Sequence, residues 1–440
     1  MRGFFSKNRK IANGCHIWQM LRAHANKRHV SFHTPGHKWG KYDITELSFS
    51  DNLASPRGVL ANAERDIATL LGAAASFLLT DGSTSGVFSM LYAAKQAGVN
   101  TLAFFENAHK SVYNACAILA LKPLLLPVTN TENIPNPPTV YALKQTYCEI
   151  FNAADALLLT SPDYYGQIGE LAEISALCKT QNKLLLIDGA HGGHLRFEKS
   201  LYAGTYADLW VDGVHKSLPA LTQGAVVSAK TQPLALFLRE GVNVFRTTSP
   251  SYPILASVEF AVKSPRNVRL ENAVKAFAAA CPRVRLCEDW TKLYAPFGEH
   301  VFEAETFLER KGVYAEFNDG NGLLFYLSPA SSMRDFALLK KLLAVLFKRY
   351  AYAPSNGLER IPAPLLFEKS GEKKWVDLDE AEGYICAENC GLFPPCTPLI
   401  RAGERIERAA IERLKKANRV FGLYENKILV YEEKEKEITL

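Results

Sequence analysis

Short apolar runs alternate with helix-like segments between about residues 70 and 230. Each run is apolar at consecutive positions and ends near Gly, Asp, Ser, Thr or Asn, which is typical of strands buried on both faces of a parallel sheet. The intervening segments, such as 86–96 and 170–180, are long enough for crossover helices. We therefore predict an α/β fold with a mostly parallel seven-stranded sheet and helices on both faces. The predicted strands are 76–79, 102–105, 124–128, 156–159, 184–187, 209–211 and 225–227.

The pattern changes after residue 250 and indicates a smaller α+β C-terminal domain. A turn at Asp319-Gly320-Asn321-Gly322 between two apolar runs predicts a hairpin. A connector that contains Pro354, Pro362 and Pro364 follows. The other predicted elements are helices over 267–280, 332–349 and 402–417 and a last strand over 427–432.

Composition and charge exclude several classes of protein. Hydrophobic residues make up 48% of the chain and the net charge is only +6, which excludes a disordered or fibrous protein and disfavours a nucleic-acid binder. No apolar run is long enough for a membrane span, and the basic N-terminus is not followed by the apolar core of a secretory signal. The nine cysteines have no framework spacing, which favours reduced thiols in the cytoplasm. Cys386, Cys390 and Cys396 lack a histidine at zinc-type spacing, so we predict no metal site.

A polar loop, a carboxylate and a lysine lie at the ends of predicted strands. The loop 80–86 is rich in Gly, Ser and Thr and opens a helix, an arrangement that binds phosphate. Asp188 follows the strand 184–187, and Lys216 follows the strand 209–211. A buried carboxylate holds a cationic ring nitrogen, and a lysine forms an imine. Alone, these features are a turn, a helix cap and a surface lysine. Together they predict pyridoxal 5′-phosphate as cofactor.

Several motifs in the same order resemble the ornithine/lysine/arginine decarboxylases of aspartate-aminotransferase-like fold. Strong similarity covers about residues 31–255, and the tail is only loosely similar. The length resembles compact members that lack the N-terminal wing domain. The motifs are 31–38, 43–47, 51–53, 80–86, 107–111, 160–166, 188–194, 215–223 and 247–252, with a weaker one over 394–406.

The resemblance implies roles for residues around the cofactor ring. Lys216 is expected to bind the cofactor covalently, and Asp188 to keep its ring nitrogen protonated. Ala190 and His109 are expected on the two ring faces, and His191 near the ring hydroxyl.

The resemblance also implies a phosphate site and a shared dimer. His215 is expected to contact the phosphate and is a candidate proton donor to the substrate carbon. A homodimer or higher homo-oligomer would share active sites, because enzymes of this fold reach the neighbouring subunit's cofactor. The residues expected at the phosphate, besides His215, are Ser83, Thr84 and Ser85, and those expected at the neighbour's cofactor are Thr248 and Ser249.

The activity implied is decarboxylation of a small-molecule basic amino acid for polyamine synthesis, with arginine first and lysine or ornithine next. Glu388 and Asp163 are candidates for the substrate's distal charge, although neither assignment follows from the sequence. One alternative is another enzyme of the same cofactor and fold, an aminotransferase or a carbon–sulfur lyase, for which Arg401 or Arg405 would bind the carboxylate. The other is a non-catalytic descendant of the fold.

The chain departs from the family pattern at several positions. Asp212 and Gly213 precede the lysine turn where the family has Gln-Ser, which removes a hydroxyl and adds a carboxylate. Glu106 replaces an arginine before the expected stacking histidine, and Gly189 replaces a frequent glutamate. Cys396-Thr397 stands where Gly-Ile is common. These differences motivate the non-catalytic alternative.

The resemblance and the change of pattern after residue 250 together predict four domains. They are an N-terminal helical segment (1–30), a cofactor-binding major domain (31–265), an α+β small domain (266–350) and a C-terminal decarboxylase-type domain (351–440).

Overall fold

The computed structural model describes residues 5, 8–38, 40–131, 134–350, 371–393, 396–417 and 419–432. The predicted proline-rich connector and Pro394-Pro395 lie outside the described residues. No helix in the described ranges is long and apolar enough to cross a membrane.

The large sheet has seven strands, and each of the seven predicted runs lies in or overlaps one of them, which confirms the predicted fold class. Its order is β1-β9-β8-β7-β6-β2-β3. Strands β2, β6, β7 and β8 are parallel, whereas β9 is antiparallel to both of its neighbours. Parallel strands bring their carboxyl ends to one edge, where α/β proteins bind ligands. The strands are β1 (Ala75–Leu79), β2 (Thr101–Phe105), β3 (Lys122–Leu126), β6 (Ala156–Thr160), β7 (Leu184–Asp188), β8 (Leu209–Asp212) and β9 (Ala225–Ala229), and a short hairpin adds β4 (Asn130–Thr131) and β5 (Ile134–Pro135).

Helices flank this sheet. Gly82–Gln96 packs on Gln232–Phe245 and on β8 and β9. It approaches closely because Gly86 has no side chain: a Cβ there would lie 2.5 Å from Cγ2 of Val211. The helix begins at Gly82, four residues before the predicted start, so Ser83, Thr84 and Ser85 belong to its first turn. The other helices of this region are Val59–Leu71, Lys110–Leu119, Cys148–Ala153, Leu171–Thr180, Ala203–Tyr206, Val214–Ser217 and Tyr252–Lys263.

A smaller lobe follows and has its own antiparallel sheet, in the order β10-β11-β13-β12. Two of its three helices start where the sequence predicted, because the side chains of Asn267 and Ser332 accept hydrogen bonds from the first-turn amides. The third, Val301–Glu309, was not predicted. The predicted hairpin is confirmed at Asp319. The elements are β10 (Arg285–Leu286), β11 (Lys292–Pro296), β12 (Phe317–Asn318) and β13 (Gly322–Tyr326), with helices Val268–Ala280, Val301–Glu309 and Met333–Arg349.

The C-terminal residues form two small antiparallel sheets and a helix around a core that includes Cys386, Ile406 and Ile411. The helix is shorter than predicted over 402–417, because Gly403 has a φ of 91°, which no helical residue adopts. The elements are β14 (Lys373–Asp377), β15 (Cys390–Leu392), β16 (Thr397–Ile400), β17 (Val420–Phe421), β18 (Leu423–Tyr424) and β19 (Lys427–Tyr431), with the helix Arg408–Lys416.

The chain divides into two compact units. The first comprises Met1–Phe104, Ala115–Leu124 and Pro137–Ala353, and the second comprises Phe105–Asn114, Leu125–Asn136 and Pro354–Leu440. The second unit therefore combines the C-terminal residues with two short segments from the middle of the chain. The four domains expected from the sequence remain a prediction.

The N-terminal helix His16–Ala25 packs within the first unit, against the helices Val59–Leu71 and Tyr252–Lys263. The fully buried carboxylate of Glu259 accepts hydrogen bonds from the amides of His16 (2.7 Å) and Ile17 (2.9 Å). Since a carboxylate satisfies the free amides and the dipole of a helix N-terminus, this contact holds the N-terminal segment on the main body.

Candidate functional site

Asp188 and Lys216 lie at the carboxyl edge of the large sheet. Asp188 is the last residue of β7, and Lys216 lies in the short helical turn that follows β8. Asp188 is 3% exposed, and among the described residues its carboxylate accepts one hydrogen bond, from the amide of Ala190 at 3.1 Å. Burial raises the pKa of Asp188, and the positive charge of Lys216 and the Ala190 amide only partly offset it. The carboxylate is therefore suited to a cationic ligand.

His191 contacts the lysine directly. Its Nε2 lies 3.2 Å from Nζ of Lys216. The rings of Tyr164 and Tyr326 meet the imidazole at near-perpendicular angles, with centroids 5.2 Å and 5.6 Å away. The position of the imidazole beside the lysine is therefore fixed by packing on two aromatic rings.

The turn at Gln223-Gly224 contacts both the N-terminus of the helix Gly82–Gln96 and the helical turn that contains Lys216. The carbonyl of Gln223 accepts a hydrogen bond from the Gly82 amide at 2.8 Å. The carbonyl of Gly224 accepts from the backbone amide and from Nδ1 of His215, both at 3.0 Å. Burial lowers the pKa of His215. The structure thus ties His215 and the start of the helix at Gly82 to one turn.

The first turn of this helix provides donors for an anion. The amides at a helix N-terminus have no intrahelical acceptor and project beyond its end. The hydroxyl of Ser85 is buried and bonds the Gly82 carbonyl at 3.0 Å. Ser83 and Thr84 are half-buried and exposed, respectively, so their hydroxyls are the more accessible ones.

Two hydroxyls beside this edge are buried without a hydrogen-bond partner among the described residues, those of Thr80 and Ser217. Thr80 follows β1, and Ser217 follows Lys216. Buried hydroxyls are normally satisfied, so these two are suited to a bound polar group. The site therefore offers the amine of Lys216, the carboxylate of Asp188, these two hydroxyls and the N-terminus of the helix that begins at Gly82. Together these groups match the aldehyde, ring nitrogen and phosphate of pyridoxal phosphate.

The departures at Asp212 and Gly213 have a structural explanation. Tyr202 and Trp210 donate hydrogen bonds to Oδ2 of Asp212, at 2.7 Å and 3.2 Å, and burial raises its pKa to about 7. A Cβ on Gly213 would lie 2.5 Å from the carbonyl oxygen of Ala190. The serine that is usual in the family would therefore require the backbone at Ala190 to move.

His109 belongs to the second unit and is oriented there by Ser111. Its Nδ1 accepts a hydrogen bond from the Ser111 amide at 3.1 Å, and the Ser111 hydroxyl lies 2.8 Å from the same atom. A neutral His109 therefore carries its proton on Nε2.

Glu106, three residues earlier, is part of a buried charge cluster in the second unit. One of its oxygens lies 3.0 Å from Nη1 of Arg401, and the other accepts from the Val128 amide at 3.2 Å. Arg401 also bonds Glu404, and all three charged residues are at most 4% exposed. The guanidinium of Arg401 is thus paired with two carboxylates, so it does not match the arginine with which an aminotransferase binds the substrate carboxylate.

Thr248 and Ser249 are exposed in the single chain. The backbone amide of Thr247, the preceding residue, donates a hydrogen bond to the carboxylate of Asp81 at 3.1 Å. Asp81 directly precedes the helix Gly82–Gln96.

The structure also places three further polar residues. His194 is buried, and its Nε2 lies 2.8 Å from Oδ1 of Asp289. Nε2 of His37 lies 2.9 Å from Oδ2 of Asp43. The buried carboxylate of Asp163 caps its own turn by accepting from the amides of Tyr165 and Gln167.

Four residues described above were not predicted from the sequence. Ser111, which orients His109 in the second unit, lies inside the motif 107–111, so that motif pointed to it. Asp289, Lys292 and Tyr326 lie in the smaller lobe of the first unit, and no motif points to them.

Comparisons with known proteins agree on one family. Residues 41–285 match the family described as "Orn/Lys/Arg decarboxylase, major domain". The uncharacterized protein YaaO of Bacillus subtilis is 28% identical, over 96% of this chain and 99% of its own. The arginine decarboxylase of Halalkalibacterium halodurans is 24% identical, over 90% and 92%. The structure of the constitutive lysine decarboxylase of Escherichia coli superposes with a TM-score of 0.73 at 17% identity, over 96% of this chain and 82% of that one.

The family match covers more than half of the chain, and the site contains the groups that pyridoxal phosphate requires. The chain belongs to the pyridoxal-phosphate-dependent Orn/Lys/Arg decarboxylase family.

Proposed function

We propose that this protein removes the carboxylate of a basic amino acid as carbon dioxide, with arginine as first substrate and lysine or ornithine next. The observation that carries the proposal is the buried carboxylate of Asp188 at the same sheet edge as the Lys216–His191 pair. Relatives named arginine decarboxylase, 24% identical over most of the chain, support arginine. The amine released would enter polyamine synthesis.

In this proposal Lys216 holds the cofactor covalently, and Asp188 binds its protonated ring nitrogen. When bound, pyridoxal phosphate supplies a cationic ring that accepts the electron pair left on the substrate carbon as carbon dioxide departs. A carboxylate in a buried place stabilises such a cation strongly, because little water screens the interaction. Ala190 and His191 would lie at the ring, and the stacking role of His109 rests on the resemblance.

The phosphate would be held by the helix start and by His215. Ser83, Thr84 and Ser85 contribute donors in the first turn, where the helix dipole favours negative charge. Because Nδ1 of His215 bonds the Gly224 carbonyl, its Nε2 carries a proton only in the imidazolium form. Burial disfavours that form, so it is a stronger acid than an exposed histidine, which suits proton delivery to the substrate carbon. Thr248 and Ser249 would act in the neighbouring subunit of a homodimer.

The test is release of carboxyl-labelled carbon dioxide from arginine, lysine and ornithine by the protein supplied with cofactor. Lys216→Ala is compared with Lys230→Ala, because Lys230 donates to the carbonyls of Gly72 and Gly204, beyond the end of β9. The wild type and the Lys230 variant should release carbon dioxide, and the Lys216 variant should not.

The visible absorbance of the same samples separates the alternatives. No carbon dioxide from any substrate, with a cofactor band that depends on Lys216, would indicate another reaction of the same cofactor. No band at all would indicate a non-catalytic descendant. The occupied Arg401 disfavours the aminotransferase alternative.

A further inference from the structure

A second buried lysine lies behind the site, and the proposed mechanism gives it no role. Lys292 opens β11 of the smaller lobe and is 2% exposed. A buried lysine is rare unless its charge is paired. Its ammonium group donates to Oδ2 of Asp289 (2.7 Å), to the hydroxyl of Thr291 (2.9 Å) and to the backbone carbonyl of His191 (3.2 Å).

Asp289 fixes this lysine from the other side. Its Oδ1 lies 2.8 Å from Nε2 of His194 and accepts from the amide and the hydroxyl of Thr291, at 2.9 Å and 2.7 Å. Burial would raise the pKa of Asp289, but the charges of His194 and Lys292 outweigh burial and hold it well below its usual range. Asp289 therefore stays ionised, and Lys292 has a permanent counter-ion.

Lys292 also acts on the ring that packs against His191. Lys292 and Tyr326 are directly opposite each other in the β11–β13 pair. The ammonium lies 4.8 Å from the centroid of the Tyr326 ring, within the range of a cation–π contact. The Tyr326 hydroxyl donates to the Tyr164 carbonyl at 2.8 Å, so the two rings that pack on the His191 imidazole are joined.

We propose that Lys292 is a positioning residue for His191, which places the imidazole against Lys216. One ammonium group fixes the backbone of His191 through its carbonyl and the side chain through Tyr326. The smaller lobe thereby controls the imidazole nitrogen that lies 3.2 Å from Nζ of Lys216. This inference rests on the proposed function only for its effect on turnover, because the placement of His191 is measurable without turnover.

The test compares Lys292→Met, Lys292→Arg and the double variant Asp289→Asn/Lys292→Met in the cofactor-free full-length protein. The double variant removes both charges, which avoids an unpaired buried carboxylate. Imidazole nitrogen resonances are recorded by NMR, and the His191 signal is assigned with His191→Gln. The expected result is a displaced His191 signal in both methionine-containing proteins and a signal near the wild-type position in the arginine variant. The His16 signal should not change.

An unchanged His191 signal in the folded methionine-containing proteins would overturn the proposal, because a purely structural lysine alters only stability. With cofactor and substrate, Lys292→Met should lower kcat by about 10²-fold and leave KM within about twofold, since a small misplacement of a reacting group has this cost. If no variant and no wild type turns over, the proposed function fails while the NMR result still decides the role of Lys292.

Discussion

Two buried aspartates of the first unit, Asp289 and Asp188, differ in how completely their carboxylates are hydrogen-bonded. The carboxylate of Asp289 bonds His194, Thr291 and Lys292, and its pKa is held low. The carboxylate of Asp188 accepts one hydrogen bond among the described residues, and burial raises its pKa. A saturated pair fixes structure, whereas an unsaturated carboxylate keeps capacity for a ligand. This difference agrees with the proposal that Asp188 binds the cofactor, whereas Asp289 supports the surrounding structure.

The largest expected effect is on activity, in Asp188→Asn. Loss of the charge should lower kcat/KM by about 10²–10³-fold, the typical effect of removing one electrostatic stabiliser. The free energy of unfolding at pH 7 should not fall, because the substitution removes a carboxylate that burial disfavours. Carbon dioxide release and urea unfolding of the cofactor-free protein measure the two. A loss of stability as large as that of Asp289→Asn would abolish the distinction between the two aspartates.

The opposite pattern is expected for Asp289→Asn. The buried ammonium of Lys292 would lose its counter-ion, and breaking a buried pair lowers the free energy of unfolding by about 3–5 kcal/mol. Urea unfolding of the cofactor-free protein measures this. Adding Lys292→Met should restore part of the stability, since no unpaired charge then remains. A double variant no more stable than the single one would show that shape, rather than charge, dominates this cluster.

Asp212 is a third buried carboxylate of the first unit, and its effect on stability should depend on pH. Burial raises its pKa from 3.8 to about 7 despite the hydrogen bonds from Tyr202 and Trp210. The folded protein therefore binds this proton more tightly than the unfolded chain does, so its contribution to stability is lost as the pH rises from about 4 to about 7.

Asp212→Asn keeps an acceptor for both donors and removes the titration. The variant should be more stable than the wild type above pH 7, by at most about 4 kcal/mol, and should match it near pH 4. Urea unfolding at a series of pH values tests this, with Asp163→Asn for comparison because burial also raises the pKa of Asp163 to about 7. Equal stabilities of Asp212→Asn and wild type at every pH would mean that folding does not raise the pKa of Asp212.

The sequence was sufficient for the features that depend on local pattern. Continuous apolar runs predicted all seven strands of the large sheet, and the strand ends predicted where Asp188 and Lys216 would lie. Pairings between distant residues were not predictable, because no local pattern marks them. Glu106 and Arg401 are 295 positions apart. In the sequence alone, Glu106 is only a departure from the family pattern. Lys292 likewise has no motif, since its role depends on a register with Tyr326 that only the fold provides.

The smallest effect is expected at Gly213, which tests how rigidly the backbone from Gly189 to Gly192 is held. The φ of Gly213, −79°, suits any residue, so only space opposes a side chain. Gly213→Ser restores the hydroxyl usual in the family but places Cβ 2.5 Å from the Ala190 carbonyl, which should cost about 1–3 kcal/mol of stability.

Gly213→Ala is the matched control, because it adds the same Cβ without the hydroxyl. If space decides, both variants lose similar stability and neither binds pyridoxal phosphate more tightly than the wild type. Tighter binding by the serine variant alone would mean that the backbone at Ala190 yields and that the missing hydroxyl limits cofactor affinity. Asp188 would then lie beside a backbone segment that can move, and the contrast between Asp188 and Asp289 would extend from hydrogen bonding to rigidity.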